Sequence, residues 1–243
     1  MAACSSSEPP DPAATMEEAC VEARDAFADA PTPVDDATDR AFLEAASTAY
    51  TTAYSPGFDL RDDVDDDSLF RLVQYLGEIP SLIGAHTALD VAYDTRAIIP
   101  FLDELAGEVG APACGADSWR LEDYEAITER LAPDIEVPDF VADVDEACRT
   151  AFAATTSPIE DPTGVAAILT SRGAMTEFHR LLIALPPPAS LDEEYVALRA
   201  ALAQYSATVA DVEREPQPAD LDELTSDALD ALTGAIEGLG VNC

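Results

Sequence analysis

Lysine is missing from this chain: its 12 basic residues are all arginine, against 49 aspartates and glutamates, for a formal net charge of −37 over 243 residues. A surface this negative repels phosphate backbones and anionic lipid head groups, so nucleic acid is excluded as a partner, while cations and basic protein patches are favoured. Histidine is nearly missing too. His86 and His179 are the two present, and neither belongs to the ExxH motif that di-iron bundles repeat on facing helices, because Ile83 and Thr176 stand where the glutamates would have to be. No GxSxG, HExxH, P-loop or GxGxxG pattern occurs, and no cysteine has a plausible histidine partner, so the chain reads as a non-enzyme without a cofactor. No run approaches the roughly 18 apolar residues that span a bilayer, and no apolar core follows a basic start as in a signal peptide. Sustained period-2 alternation is also absent, which leaves helix as the regular structure available.

Five cysteines are present. The first stands in MAACSSSEPPDPAAT, where Ser5 to Thr15 is Ser, Pro, Ala and acid and has too little to bury to offset the entropy of ordering. Ala2, Ala3 and Cys4 match the last three positions of a bacterial lipobox, in which small residues precede the cysteine that is acylated. Cys4 is therefore read as a lipidation site on a flexible tether, with Met1 standing where a signal peptide has been cut away.

The other four cysteines form two nearly equal intervals, 114 − 20 = 94 and 243 − 148 = 95 residues. The local contexts repeat as well: EEAC at 17–20 and DEAC at 145–148 open the intervals, and GEVGAPAC at 107–114 and GLGVNC at 238–243 close them. Four cysteines allow three connectivities, and a duplicated unit selects the one in which each copy closes on itself, pairing Cys20 with Cys114 and Cys148 with Cys243. The alternative is four buried free thiols in a reducing compartment. Disulfides imply export, which agrees with an acylated Cys4.

Inside each interval the apolar period is helical. Tyr195, Leu198, Leu202, Tyr205, Val209 and Val212 fall on one stripe, preceded by a capping box of Ser190 and Glu193 after Pro186 to Pro188. Ile168, Met175, Phe178 and Leu182 form a second stripe, and Leu221, Leu224, Ala228, Ala235 and Leu239 a third; the helix carrying Cys148 and Phe152 makes four. In the first copy the helices are expected at 16–28, 35–54, 66–78 and 81–109, with Pro56 and Gly57 as the break that corresponds to the triple proline. The expected architecture is all-α: a tether at 1–14, helical repeat 1 at 15–115, a connector with a short helix at 116–136, and helical repeat 2 at 137–243. Each repeat would be an up-down-up-down four-helix bundle closed by one disulfide, since the start of the first helix and the end of the fourth then lie at the same end.

A helix with Cys near its start, a PPxxL break (Pro187, Pro188, Leu191), a long helix with an acidic start and a Tyr and Leu stripe, and a terminal GLGxxC together resemble small exported helical lipoproteins of actinobacteria. The resemblance implies fold, export and anchoring, and implies no activity. GAHTALD at 84–90 is similar to the GxHxxE motif of imelysin-like proteins, exported duplicated helical bundles linked to iron. The required acid falls on Leu89, with Asp90 one residue late. On one helix His86 and Asp90 would be i,i+4 neighbours.

Secondary metal candidates are thus His86 and Asp90, together with Asp63, Asp65 and Asp67 of the run DLRDDVDDD. That run lacks the glycine of a calcium loop and is also accounted for as a solvated acidic helix start. Trp119 and Tyr124 in the connector are candidate interface anchors, since Trp and Tyr dominate binding hot spots; their bland reading is packing. The functional expectation is a non-catalytic cell-surface lipoprotein on the outer face of the cytoplasmic membrane. It would bind a protein or cell-envelope partner, as an accessory module of a membrane complex. An imelysin-like exported cation-binding protein and a carrier of an apolar ligand are the alternatives.

Overall fold

The computed structural model describes residues 11–60, 67–153, 165–214 and 221–241. Among the described residues the regular structure is entirely helical: α1 (Pro12–Phe27), α2 (Asp36–Leu60), α3 (Asp67–Ala85), α4 (Ala88–Val109), α5 (Leu121–Leu131), α6 (Val137–Ala153), α7 (Val165–Leu182), α8 (Asp192–Arg214) and α9 (Leu221–Gly238), with 3-10 turns at Pro112–Cys114, Ala116–Ser118 and Ala189–Leu191. None of these helices is long and apolar enough to cross a membrane.

Helix α1 starts earlier than its apolar pattern suggests. The Asp11 carboxylate accepts the Ala13 N–H at 3.1 Å and Pro12 occupies the first helical position, where its missing N–H costs nothing. Pro12 to Thr15, read from composition as unable to fold, are therefore helical, and the tether expected at 1–14 overlaps α1.

One proline expected as a break, and one in the gap expected between the helices at 66–78 and 81–109, lie inside helices instead. Pro56 sits within α2, which continues to Leu60. The reason is packing at Gly57, where a Cβ would come 2.4 Å from Val73 Cγ2 and 2.6 Å from Met16 Sδ, so the absence of a side chain lets α2 lie close to α1 and α3. Burial over that contact offsets the hydrogen bond that proline removes. Pro80 lies within α3, which runs on to Ala85, and the chain breaks at His86 and Thr87. Ser190, expected as a helix cap, falls in the 3-10 turn that precedes α8.

The chain divides into two compact units, residues 1–88 with 99–123, and residues 89–98 with 124–243. This boundary differs from the sequence halves because the first part of α4 bonds and packs with the second unit. In the first unit α1 and α3 pack on α2. Phe27 and Phe42 meet at 5.3 Å between ring centroids, Tyr75 and Phe101 stack at 5.5 Å, and Met16, Leu72, Leu76 and Leu102 are buried with them. In the second unit α6, α7, α8 and α9 pack around Phe140, Val144, Phe178, Leu182, Tyr195, Leu198, Leu202 and Leu239, joined by Tyr93 of α4. The stripe on α8 read from the sequence is buried from Tyr195 through Val209.

Helices α4 and α9 end alike. Gly110 and Gly240 adopt positive φ, 79° and 76°, and the next residue reaches back over the last turn, Ala111 N–H to Ala106 O at 2.9 Å and Val241 N–H to Ile236 O at 3.2 Å. A glycine here takes the left-handed conformation without a Cβ clash and lets the carbonyls of the helix end be satisfied.

Candidate functional site

Cys20 of α1 and Cys114 of the turn after α4 are joined by a disulfide, with Cα atoms 5.1 Å apart and both residues fully buried. The turn is held from several sides. Glu17 accepts the Ala113 N–H at 2.8 Å, Ser118 Oγ donates to Ala113 O at 2.6 Å, and Trp119 Nε1 donates to Cys114 O at 2.8 Å. The Trp119 indole stacks on Tyr50 with centroids 4.1 Å apart. Arg120 follows at φ 52°, an unfavourable conformation for a residue with a Cβ. It is held there by its guanidinium, which donates to Phe27 O and Ala30 O, pairs with Asp123 at 2.6 Å, and lies over the rings of Phe27 and Phe42. Cys148 is also disulfide-bonded; Cys243, the partner that the repeat assigns to it, and Cys4 lie outside the described residues.

The connector residues offered as interface anchors are not on the surface. Trp119 and Tyr124 are both fully buried, and their rings serve the packing of the protein itself. His86 and Asp90 do not share a helix: His86 follows the end of α3, where its N–H bonds Leu82 O, and Asp90 is buried in the first turn of α4. Their i,i+4 relation therefore does not exist. Asp67 opens α3 with an exposed side chain, the position where a carboxylate complements the helix dipole, and Asp63 and Asp65 lie outside the described residues. Among the described residues no three His, Cys, Asp or Glu side chains are placed to hold a metal ion.

What the structure adds is a buried polar network in the second unit. Arg199 of α8 is fully buried, and its Nη1 donates to Asp94 Oδ1 of α4 at 2.9 Å and lies 3.2 Å from His179 Nε2 of α7. Its Nη2 donates to the Tyr195 hydroxyl at 2.6 Å, and that hydroxyl donates to Leu182 O at 2.9 Å. Burial opposes the charge on Arg199, but Asp94, Tyr195 and Asp90 outweigh it and the guanidinium titrates above its ordinary range. Burial likewise pushes the Tyr195 phenol up to about 12, with Arg199 pulling the other way. Beside it Arg96 of α4 makes a two-pronged pair with Asp192 at 2.8 and 2.7 Å and donates to Thr128 at 2.7 Å, tying α4 to the starts of α8 and the end of α5.

These residues escaped the sequence reading. Arg199 is four residues after Tyr195, so it lies on the buried stripe of α8 between Leu198 and Leu202, and Asp94 lies within the otherwise buried run Val91 to Thr95. A charge of each sign inside an apolar stripe was the available signal, since such charges are rarely buried unless they are paired. No protein-family model, curated protein or solved structure matches this chain.

Proposed function

We propose that this protein is a non-catalytic, lipid-anchored protein of the outer face of the bacterial cytoplasmic membrane, a partner-binding or accessory module of the cell envelope. It would be built from two tandem four-helix repeats, each closed by one disulfide. The buried Cys20–Cys114 bridge carries this reading, because structural disulfides are characteristic of exported proteins and rare in reducing compartments. The duplication is supported by the matching ends of α4 and α9, each a positive-φ glycine a few residues before a cysteine, and by Cys20 and Cys148, both buried and disulfide-bonded on helices that open the two halves. In this reading the polar network is structural rather than catalytic, since Asp94, Arg199 and Tyr195 bond with one another, with His179 and with Leu182 O.

Anchoring is tested at Cys4, which follows two alanines and precedes a Ser, Pro and Ala-rich stretch. Metabolic labelling of the gene expressed with its native upstream region, using a palmitate analogue, should label the wild-type protein and leave Cys4→Ala unlabelled. Equal labelling of both, or of neither, would remove the anchor.

A further inference from the structure

We propose that His179 is a proton-operated switch on the buried Arg199–Asp94 pair. A guanidinium nitrogen can only donate, so the 3.2 Å contact between Arg199 Nη1 and His179 Nε2 is a hydrogen bond only when Nε2 carries no proton. A hydrogen bond there therefore requires the neutral ring with its proton on Nδ1. When Nε2 takes a proton it becomes a donor, faces the positive Arg199 at 3.2 Å, and has the Asp94 Oδ1 acceptor 3.6 Å away. The bond Nη1–H···Nε2 breaks and Nε2–H···Oδ1 forms, so Asp94 Oδ1 gains His179 as a donor beside Arg199. The proton comes from solvent: the His179 side chain is 33% exposed, whereas Asp94 and Arg199 are 6% and 0% exposed.

The groups that face the ring are few. Helix α4 presents Asp94, with Asp90 acting by charge on Arg199, and α8 presents Arg199 and Tyr195. Among the described residues no hydrogen bond or ion pair to the ring comes from α6 or α9, and on α7 itself Arg180 and Glu177 pair with each other at 2.6 Å. Arg199 passes the change on, because its other terminal nitrogen holds the Tyr195 hydroxyl, which in turn holds Leu182 O near the end of α7. Histidine is the side chain whose charge ordinarily changes between about pH 5 and 8, which sets the range over which the device is tested.

Long-range proton–nitrogen NMR on the full chain decides it. At about pH 8 the His179 ring should carry its proton on Nδ1 and none on Nε2. Between about pH 8 and about pH 5 the Arg199 side-chain and Tyr195 ring signals should move with the midpoint of the His179 ring. In His179→Gln, which keeps an acceptor and cannot titrate, that movement should disappear. A proton on Nε2 at the upper pH, Arg199 and Tyr195 signals that stay still while the ring titrates, or the same movement in the Gln variant would each overturn the proposal. The first two are read on the wild-type protein, so the result stands even where the variant does not fold.

Discussion

Arg199 and Asp94 carry the clearest energetic asymmetry at the scale of single residues. Taking both charges out of water costs several kcal/mol per ion, and the 2.9 Å contact between them returns enough that the pair persists, yet a pair of this kind contributes little net stability. Removing one partner is a different matter, because the other is left buried and charged. Arg199→Met should therefore cost about 3–5 kcal/mol in urea unfolding, and adding Asp94→Leu to it should recover most of that loss. A single substitution costing less than about 1 kcal/mol would mean that water reaches Asp94 once the arginine is gone. The pair was not legible in the sequence because one charged residue on an apolar stripe does not reveal which residue of the opposite sign, 105 positions away in the chain, will meet it.

Periodicity located the helices far better than punctuation ended them. The stripes on α7 and α8 point inward as their spacing requires, with Met175, Phe178 and Leu182 buried on the first and Tyr195 to Val209 on the second. The differences fall at prolines: Pro56, expected as a break, and Pro80, in the gap expected between the helices at 66–78 and 81–109, each lie inside a helix whose burial outweighs one lost hydrogen bond. The boundary expected at 79–80 has a further consequence, since it puts His86 and Asp90 on a common helix, 81–109, which the structure instead breaks at His86 and Thr87. Gly57 shows what a glycine read as a breaker does in a contact between helices. Gly57→Ala should destabilise the protein by about 1–3 kcal/mol, because the new methyl would meet Val73 and Met16 well inside contact distance. Gly107→Ala on α4 meets nothing within 4 Å and should instead raise stability by about 0.5–1 kcal/mol. Thermal melts of the two variants that moved in the same direction would contradict this account of the α1–α2–α3 contact.

For the whole molecule, the equal cysteine spacing was the most informative long-range signal, because a disulfide is a contact that the chain advertises in its composition. Cys20–Cys114 is the pair that the spacing selects, and the same reasoning assigns Cys148 to Cys243. Closing a loop of 94 residues restricts the unfolded chain by about 4–5 kcal/mol in the entropic account. Non-reducing peptide mapping should find Cys20 joined to Cys114 and Cys148 joined to Cys243, and reduction should lower stability by up to that amount for each. A peptide joining Cys20 to Cys148 would defeat the duplication. Function was much less legible than fold. The residues singled out for binding were aromatic, and aromatic residues are as often packing as anchors; Trp119 and Tyr124 proved to be packing. The polar residues that the fold gathers came from distant helices and carried no motif.

The Cys20–Cys114 bridge also decides how the protein responds to tension. Force applied at the N-terminus and borne at the C-terminus travels along the shortest covalent path, which enters at Cys20 and leaves at Cys114 through the sulfur atoms. The 94-residue span between them, worth roughly 310–340 Å of extended chain at about 3.3–3.6 Å per residue, is bypassed and cannot be paid out under load while the bridge is intact. Helices α2, α3 and α4 therefore lie entirely within a sheltered loop. A protein tethered to a surface by its first residues would keep them out of the load path however hard its far end is pulled, and it would lose that shelter only to a reductant able to reach a fully buried sulfur pair.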